Sequence, residues 1–246
     1  MPYKLTIEYD GSNYCGFQKQ FDASQKSIEE ALEVAIYKLT QERPKIFGSG
    51  RTDAGVHALG QVIHFDLTKK FTPYKMQMGL NNYLREEKIS VLSCEEVDEN
   101  FHARFDAKMR HYRYCIINRA APLTLEKNRA WHVRKKLDVE EMKKAAEFLI
   151  GKHDFSSFRD AECQAKSAIR TVEKIEIKKN NEEILIEISA KSFLHHMVRN
   201  IVGTLVLVGS KKISATEMNK ILGARDRTKA GPNAPAYGLY FWKVDY

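Results

Sequence analysis

Hydrophobic and polar residues alternate with the two-residue period of a half-buried strand at several places along the chain. Lys4–Tyr9 shows this pattern first. Thr171–Ile177 and Glu183–Ser189 show it again on either side of Asn180-Asn181, which predicts a hairpin. Short apolar segments predict further strands at Ile46-Phe47, Val62–Phe65, Ile89–Val97 and Tyr240–Val244, and Ala107–Ile117 predicts a long strand.

Other segments follow the helical period instead. Ser27-Ile28-Glu29-Glu30 has the form of a capping box, so a helix is predicted from Ile28 onward. Further helices are predicted at Asp138–Ile150, Phe193–Val208 and Thr216–Leu222, each followed by a glycine: Gly151, Gly209 and Gly223.

The order of these elements is similar in the two parts of the chain, since each has strands, then a long helix, then more strands. No low-complexity linker separates the parts. We therefore predict an α+β protein with two similar halves, 1–105 and 106–246, which share a largely antiparallel central sheet flanked by helices. The duplication rests on element order, because no sequence repeat is visible.

Composition narrows the class of protein. Apolar residues make up 43% of the 246 residues, which is typical of a folded chain, and no apolar run is long enough to predict a membrane span. The net charge of +8 favours an acidic partner such as nucleic acid. The four cysteines lack metal-site or disulfide spacing, and the start of the chain lacks a signal peptide, so we expect a cytoplasmic protein.

The segment Gly50–His57 contains the residues that are best suited to catalysis. Arg51 and Asp53 stand two residues apart in a loop framed by three glycines. A carboxylate beside a guanidinium stays ionised, which makes Asp53 a candidate nucleophile or base. The alternative is a tight turn capped by Asp53, with Arg51 as its surface partner.

Arg110–Tyr114 interleaves cations and aromatic residues in a predicted strand. Alternation places Arg110, Tyr112 and Tyr114 on one face, a set that suits phosphate contact and base stacking. The alternative is an amphipathic strand whose tyrosines pack on a core.

Two further segments contain polar residues that chemistry uses. Arg199 lies near the edge of the apolar stripe of its predicted helix, where it is either a buried residue that needs a carboxylate partner or a surface arginine. His153-Asp154 lies in a predicted polar loop, Gly151–Phe158, and is either a catalytic pair or a pair that satisfies backbone groups of a turn. The adjacent histidines 195 and 196 do not share a helix face and make a poor metal pair.

Seven segments together resemble the TruA family of tRNA pseudouridine synthases, and they occur in the family's order over nearly the whole chain. They are Tyr9–Gly11 with Tyr14–Gln18, Gly50–Ala58, Phe101–Phe105, Arg110–Tyr114, His153–Phe158, Phe193–Gly203 and Ala234–Leu239. The resemblance implies a pseudouridine synthase fold and an isomerase that converts uridine to pseudouridine in the anticodon arm of tRNA. It also implies a homodimer that needs no metal and no organic cofactor.

The resemblance assigns roles to individual residues. It implies that Asp53 is the catalytic carboxylate, that Arg51 assists base flipping and that Tyr112 is the active-site tyrosine. It further implies that Arg199 pairs with the catalytic carboxylate and that Leu239 lines the pocket. The segments implied to contact tRNA comprise Phe101, His102, Ala103, Arg104 and Phe105, and Glu162, Cys163, Gln164, Ala165 and Lys166.

Two positions depart from the family pattern. Phe17 stands where many members have tryptophan, and Lys166 occupies a position often held by arginine. Lysine contacts a phosphate with a different geometry from arginine, so this exchange affects the expected RNA contacts. It does not affect the expected isomerisation.

Three other functions remain as alternatives: a structured-RNA-binding protein without catalysis, a pseudouridine synthase that acts at other RNA positions, and a hydrolase that uses His153-Asp154 together with Asp53.

Overall fold

A computed structural model describes residues 1–20 and 24–246. The strands are β1 (Pro2–Tyr9), β2 (Phe47–Gly48), β3 (His57–Asp66), β4 (Ile89–Glu96), β5 (Met109–Ile117), β6 (Trp131–His132), β7 (Gly151–Asp154), β8 (Ile169–Asn180), β9 (Glu183–Ala190) and β10 (Leu239–Asp245). The helices are α1 (Ile28–Thr40), α2 (Pro73–Leu84), α3 (Val139–Glu147), α4 (Met197–Gly209) and α5 (Glu217–Ala224).

The chain forms two units. The first contains Met1–Lys108 and Tyr240–Tyr246, and the second contains Met109–Leu239. The final strand thus joins the first unit, although the sequence placed it in a second half, 106–246. The reason is its pairing: Tyr240 and Phe241 lie parallel to β3 of the first unit, a contact that the order of elements along the chain does not reveal.

The sheet of the first unit has the strand order β4-β1-β3-β10. β1 is antiparallel to both β3 and β4, and the short β2 also pairs with β3. Alternate residues of β1 are buried, as the two-residue period predicts: Tyr3, Leu5, Ile7 and Tyr9.

In the first unit, the sequence predicted helix α1 but not helix α2. α1 begins at the predicted capping box, where Ser27 and Glu30 hydrogen-bond each other's backbone N–H groups. Sequence reasoning did not find α2. Its signal was Thr72, which caps the helix, followed by Pro73 in the first turn.

The sheet of the second unit has the antiparallel order β5-β9-β8-β7, with the short β6 parallel to β5. The predicted hairpin is confirmed as β8 and β9, and Asn181 in its turn has a φ of 53°. The prediction that Gly151–Phe158 is entirely a loop was wrong, because its first four residues form β7 at the sheet edge. Edge strands are often polar, so their sequences lack the alternation that predicts them.

Helix α4 begins later than the sequence predicted. Residues 193–196 lead into the helix without joining it, and His196 at the N-cap has a left-handed φ of 60°. The apolar spacing continues across this bend, so periodicity alone did not show where the helix starts. Gly209 lies at the end of α4 as predicted, whereas Gly223 lies inside α5 and does not end it.

Glycine lets α4 lie directly against the 231–234 segment. A Cβ on Gly203 would stand 1.7 Å from the carbonyl oxygen of Pro232, and one on Gly231 would stand 2.8 Å from the backbone of Thr204. Thr204 Oγ1 accepts a hydrogen bond from the Gly231 N–H group at 2.9 Å. The backbone contact therefore fixes the segment that leads to Ala234.

Among the described residues, no helix combines the length and the apolar character that crossing a membrane requires.

We expect Gly203→Ala and Gly223→Ala to have opposite effects. The first forces a methyl group into backbone atoms and should lower the free energy of unfolding by about 1–3 kcal/mol. The second adds a methyl group where no atom lies within 4 Å, so it should raise that free energy by up to about 1 kcal/mol through helix propensity. Urea denaturation measures both, and equal changes would contradict the packing argument.

Candidate active site

Backbone contacts hold the Asp53 loop in the first unit. Asp53 forms an isolated antiparallel bridge with Gly16, and the N–H group of Phe17 donates to the Thr52 carbonyl at 3.0 Å. Gly16 has a φ of 115°, and a Cβ there would stand 2.6 Å from the Thr52 oxygen. Glycine is therefore required at position 16 if the loop is to lie this close.

His57 anchors the far end of the same loop. Its ring is buried and stacks on Tyr240 at 4.8 Å, and its Nδ1 atom accepts the Gly11 N–H at 3.1 Å. A neutral imidazole that accepts at Nδ1 carries its proton on Nε2. Asp10 Oδ1 lies 3.3 Å from the same Nδ1 atom.

The two charged residues of the loop differ in exposure. Arg51 is exposed, whereas Asp53 is partly buried. An exposed guanidinium is placed to meet a phosphate, and a partly buried carboxylate is shielded from bulk water.

The 101–105 segment forms a tight turn around His102. The His102 Nδ1 atom accepts the N–H groups of Arg104 at 3.1 Å and Phe105 at 3.4 Å. Ala103 is fully buried, but Phe105 is 73% exposed, and the Arg104 guanidinium lies 5.9 Å from its ring centre. The turn thus displays a cation and an aromatic ring to solvent.

Aromatic rings support this turn from beneath. His102 lies 4.3 Å from the Phe105 ring and 4.8 Å from the His64 ring, and Phe47 stacks on His64 at 4.9 Å. Burial lowers the pKa of His64, and the neighbouring His102 lowers it further. The His64 Nδ1 atom accepts the Ala103 N–H, so the neutral ring is also part of the turn's support.

Strand β5 in the second unit shows the predicted alternation. Tyr112 and Tyr114 face the core, while His111 and Arg113 contact Ser189 and Glu187 of β9 on the other face. Tyr114 is fully buried, its hydroxyl donates to the Pro235 carbonyl at 2.8 Å, and burial raises its pKa.

The core-packing alternative therefore applies to Tyr114. Tyr112 is 9% exposed, and its ring meets Phe193 edge to face at 5.0 Å.

Arg199 on α4 is partly buried and has a fixed position. Its Nε group donates to the Ala234 carbonyl at 2.7 Å, and the Ala234 N–H group donates to the Arg199 carbonyl at 3.2 Å. The same segment continues to Leu239, which is 5% exposed. Arg199 is thus held against the segment that leads to Leu239, and it is not a free surface arginine.

Arg227 supports this arrangement, although sequence reasoning did not single it out. Its guanidinium donates to the buried Asn200 side chain at 2.8 Å and to the Gly231 carbonyl at 3.0 Å. No spacing in the sequence connects residues 200, 227 and 231, so only the fold reveals the contact.

Asp160 connects the 162–166 segment to the start of α4. Its carboxylate contacts His196 Nδ1 at 2.6 Å and accepts the Glu162 N–H at 3.0 Å, and its N–H group donates to the His195 carbonyl. Burial raises the pKa of Asp160, but these hydrogen bonds and the two histidines outweigh it and hold the pKa below its usual value. Sequence reasoning missed this residue.

The 162–166 segment presents alternate residues to solvent. Glu162, Gln164 and Lys166 are exposed, while Cys163 is buried. The Arg159 guanidinium donates to the carbonyls of Cys163 at 2.6 Å and Ala165 at 2.9 Å, which fixes the segment's backbone.

The His153-Asp154 pair serves its own turn. The His153 ring contacts the Ile150 carbonyl at 2.8 Å, and the Asp154 carboxylate accepts both the N–H and the hydroxyl of Ser156. Both residues thus satisfy backbone groups of a turn, which is the alternative to a catalytic pair.

Comparison with known proteins decides the family. A family model described as tRNA pseudouridine synthase matches residues 5–106 and 145–246. The chain belongs to this family. It is 53% identical over its full length to tRNA pseudouridine synthase A of Ehrlichia chaffeensis and of Ehrlichia canis, and 50% identical to that of Anaplasma phagocytophilum, with the whole of each relative covered. The resemblance based on the seven sequence segments is thereby confirmed, as is the α+β class.

Replacement of Asp160 by asparagine tests the carboxylate that joins α4 to the 162–166 segment. Because its folded pKa lies below the ordinary value of 3.8, the carboxylate stabilises the fold above that pH, and the contribution is lost as pH falls through the folded pKa. We expect Asp160→Asn to lower the free energy of unfolding by about 1 kcal/mol at pH 7.

The deficit should shrink below about pH 4. Thermal unfolding across pH measures it, with the exposed Glu173→Gln on β8 as the control. A deficit that persists unchanged at pH 3 would contradict the assignment.

Proposed function

We propose that this tRNA pseudouridine synthase acts on uridines of the anticodon arm and that Asp53 is its catalytic carboxylate. The family supports tRNA pseudouridine synthesis itself. The observation that carries the residue assignment is the loop geometry, since Asp53 is partly buried and tied by its backbone to Gly16. A carboxylate held in this way keeps its orientation during a reaction.

The reaction is an isomerisation, so it consumes no other reagent, and it requires a carboxylate in a fixed position. The N1–C1′ bond of the nucleotide breaks, the uracil rotates, and a C5–C1′ bond forms, while C5 loses a proton and N1 gains one. The target nucleotide must first leave its stack, at a cost of a few kcal/mol. We assign Asp53 to the attack on the sugar or the base, and the bond that it forms breaks again before the product leaves, which restores the carboxylate. The exposed Arg51 is assigned to the space and the phosphates beside the extruded base.

Three residues of the second unit have the roles that the family resemblance implies for them. Tyr112 would stack on the detached uracil and Leu239 would supply the wall. The predicted pairing of Arg199 with the catalytic carboxylate stays a prediction. Its hydrogen bonds to Ala234 fix the guanidinium, which supports a positional role.

Binding of tRNA is assigned to the 101–105 and 162–166 segments. The exposed Phe105 with the nearby Arg104 supports stacking and phosphate contact, and the chain's net charge of +8 favours an RNA partner. Ala103 is fully buried, so in this proposal it supports the turn without touching RNA. The family resemblance further supports a homodimer, which sedimentation of the purified protein would test. The spacing of the four cysteines favours the cytoplasm.

Replacement of Asp53 tests the catalytic assignment. We expect Asp53→Asn to reduce release of tritium from tRNA labelled at uridine C5 by a hundredfold or more, about the size of effect that removal of an acid–base group produces. Binding of tRNA should be unchanged or tighter, because a carboxylate repels phosphates.

The control is Asp66→Asn, which alters an exposed carboxylate at the end of β3. Turnover by Asp53→Asn at the rate of this control would overturn the assignment. No tritium release by the unaltered protein, with tRNA still bound, would favour the non-catalytic RNA-binding alternative.

Replacement of Phe105 tests the tRNA-binding surface. We expect Phe105→Leu to weaken tRNA binding about tenfold, since loss of one base–aromatic stack costs about 1–3 kcal/mol. The matched control is Tyr74→Leu, which removes a ring of similar exposure on α2 (71%). Filter binding measures both, and equal affinities would remove Phe105 from the interface.

A further inference from the structure

A chain of buried polar side chains lies beneath the Asp53 loop. Tyr9 is 4% exposed, Thr52 is 7% exposed and Gln61 is fully buried. The Tyr9 hydroxyl lies 2.7 Å from Thr52 Oγ1 and 2.6 Å from Gln61 Oε1, and Gln61 Nε2 lies 2.7 Å from the Gly50 carbonyl. Each contact has hydrogen-bond length.

The number of available protons sets the direction of this chain. Tyr9 has one hydroxyl proton and donates it to Gln61 Oε1, so the Thr52 hydroxyl must donate to Tyr9. The Gln61 amide then donates to the Gly50 carbonyl. This series of hydrogen bonds starts at Thr52 and ends at Gly50. Together with the backbone of residues 50–52 it forms a closed ring that includes Arg51, immediately before Asp53.

The strands are distorted where this chain forms. Between β1 and β3 the register shifts: Ile7 pairs with Gln61 and Tyr9 pairs with Ala58, which leaves an extra residue on β3. Such bulges redirect side chains and are frequent beside active sites. Here the bulge lies between the two strand residues that form the hydrogen-bond chain.

Stability alone does not account for these polar groups. A buried polar group costs free energy unless it is hydrogen-bonded, and apolar side chains of similar shape would fill the same space without that cost. What the polar chain adds is geometry, because it fixes the backbone at residues 50 and 52 through directional bonds.

We propose that Tyr9 and Gln61 are positioning residues for the uridine isomerisation. Through Thr52 and Gly50 they hold the loop so that Arg51 extends into solvent while Asp53 keeps its orientation. This inference rests on the proposed function of Asp53 and adds residues that touch neither substrate nor reacting atoms. Small displacements of a catalytic group can cost about a hundredfold in rate.

The chain offers a matched pair of variants. Tyr3 lies on the same strand, is fully buried, and exchanges two hydrogen bonds of 2.8 Å with the backbone of Phe71. Tyr9→Phe and Tyr3→Phe therefore each remove from β1 a buried hydroxyl that hydrogen-bonds to other residues of the first unit. The two variants should lose similar stability, but only the first disturbs the Asp53 loop.

The experiment measures single-turnover pseudouridine formation, the Kd for tRNA and the melting temperature of each variant. We expect Tyr9→Phe to reduce the rate at saturating enzyme about tenfold to a hundredfold while Kd stays within about twofold. Tyr3→Phe should keep the rate within about twofold at a comparable melting temperature. Thr52→Val, which deletes the first donor of the chain, should behave as Tyr9→Phe does, and it provides the test should Tyr9→Phe fail to fold.

Three results would overturn the inference. Rates for Tyr9→Phe and Thr52→Val near that of the unaltered protein would do so, as would an equal loss of rate in Tyr3→Phe, since the effect would then be one of stability. A parallel loss of tRNA affinity would show that the residues act in binding. In each of these cases the unaltered protein is active, whereas its inactivity on tRNA would overturn the proposed function as well.

Discussion

One constraint governs the first unit: the short irregular loop at residues 50–57 must hold the charged side chain of Asp53 in one orientation. A loop has no repeating hydrogen bonds of its own, so its backbone groups must find partners elsewhere. Gly16 and Phe17 supply backbone contacts to residues 52 and 53. These contacts require a backbone approach that a side chain at position 16 would block, which explains the glycine there.

The second unit meets the same requirement by different means. In that unit the irregular segment 231–234 packs directly against helix α4. The close approach is possible because Gly203 and Gly231 have no side chains. Arg199 then binds the Ala234 carbonyl, and Arg227 binds the Gly231 carbonyl of the same segment. In both units glycines permit the contact and polar groups fix its direction.

The sequence predicted a large part of this protein because its strongest signals are local. The capping box at Ser27 and the alternation in β1, β5, β8 and β9 follow from neighbouring residues, and tertiary packing preserved them. Predictions failed where the partner lies elsewhere in the chain. The edge strand β7 owes its form to β8, and α4 starts only after His196, whose ring contacts Asp160.

The sequence by itself determined the family, the α+β class and the identity of the candidate residues, because seven ordered segments are far more specific than any one of them. Only the tertiary structure decided how those residues are held. In the hydrogen-bond chain Thr52–Tyr9–Gln61–Gly50, Tyr9 bonds to residues that lie 43 and 52 positions away in the sequence. A hydrogen bond depends on distance and angle in space, and no periodic pattern along the chain encodes either quantity for residues so far apart.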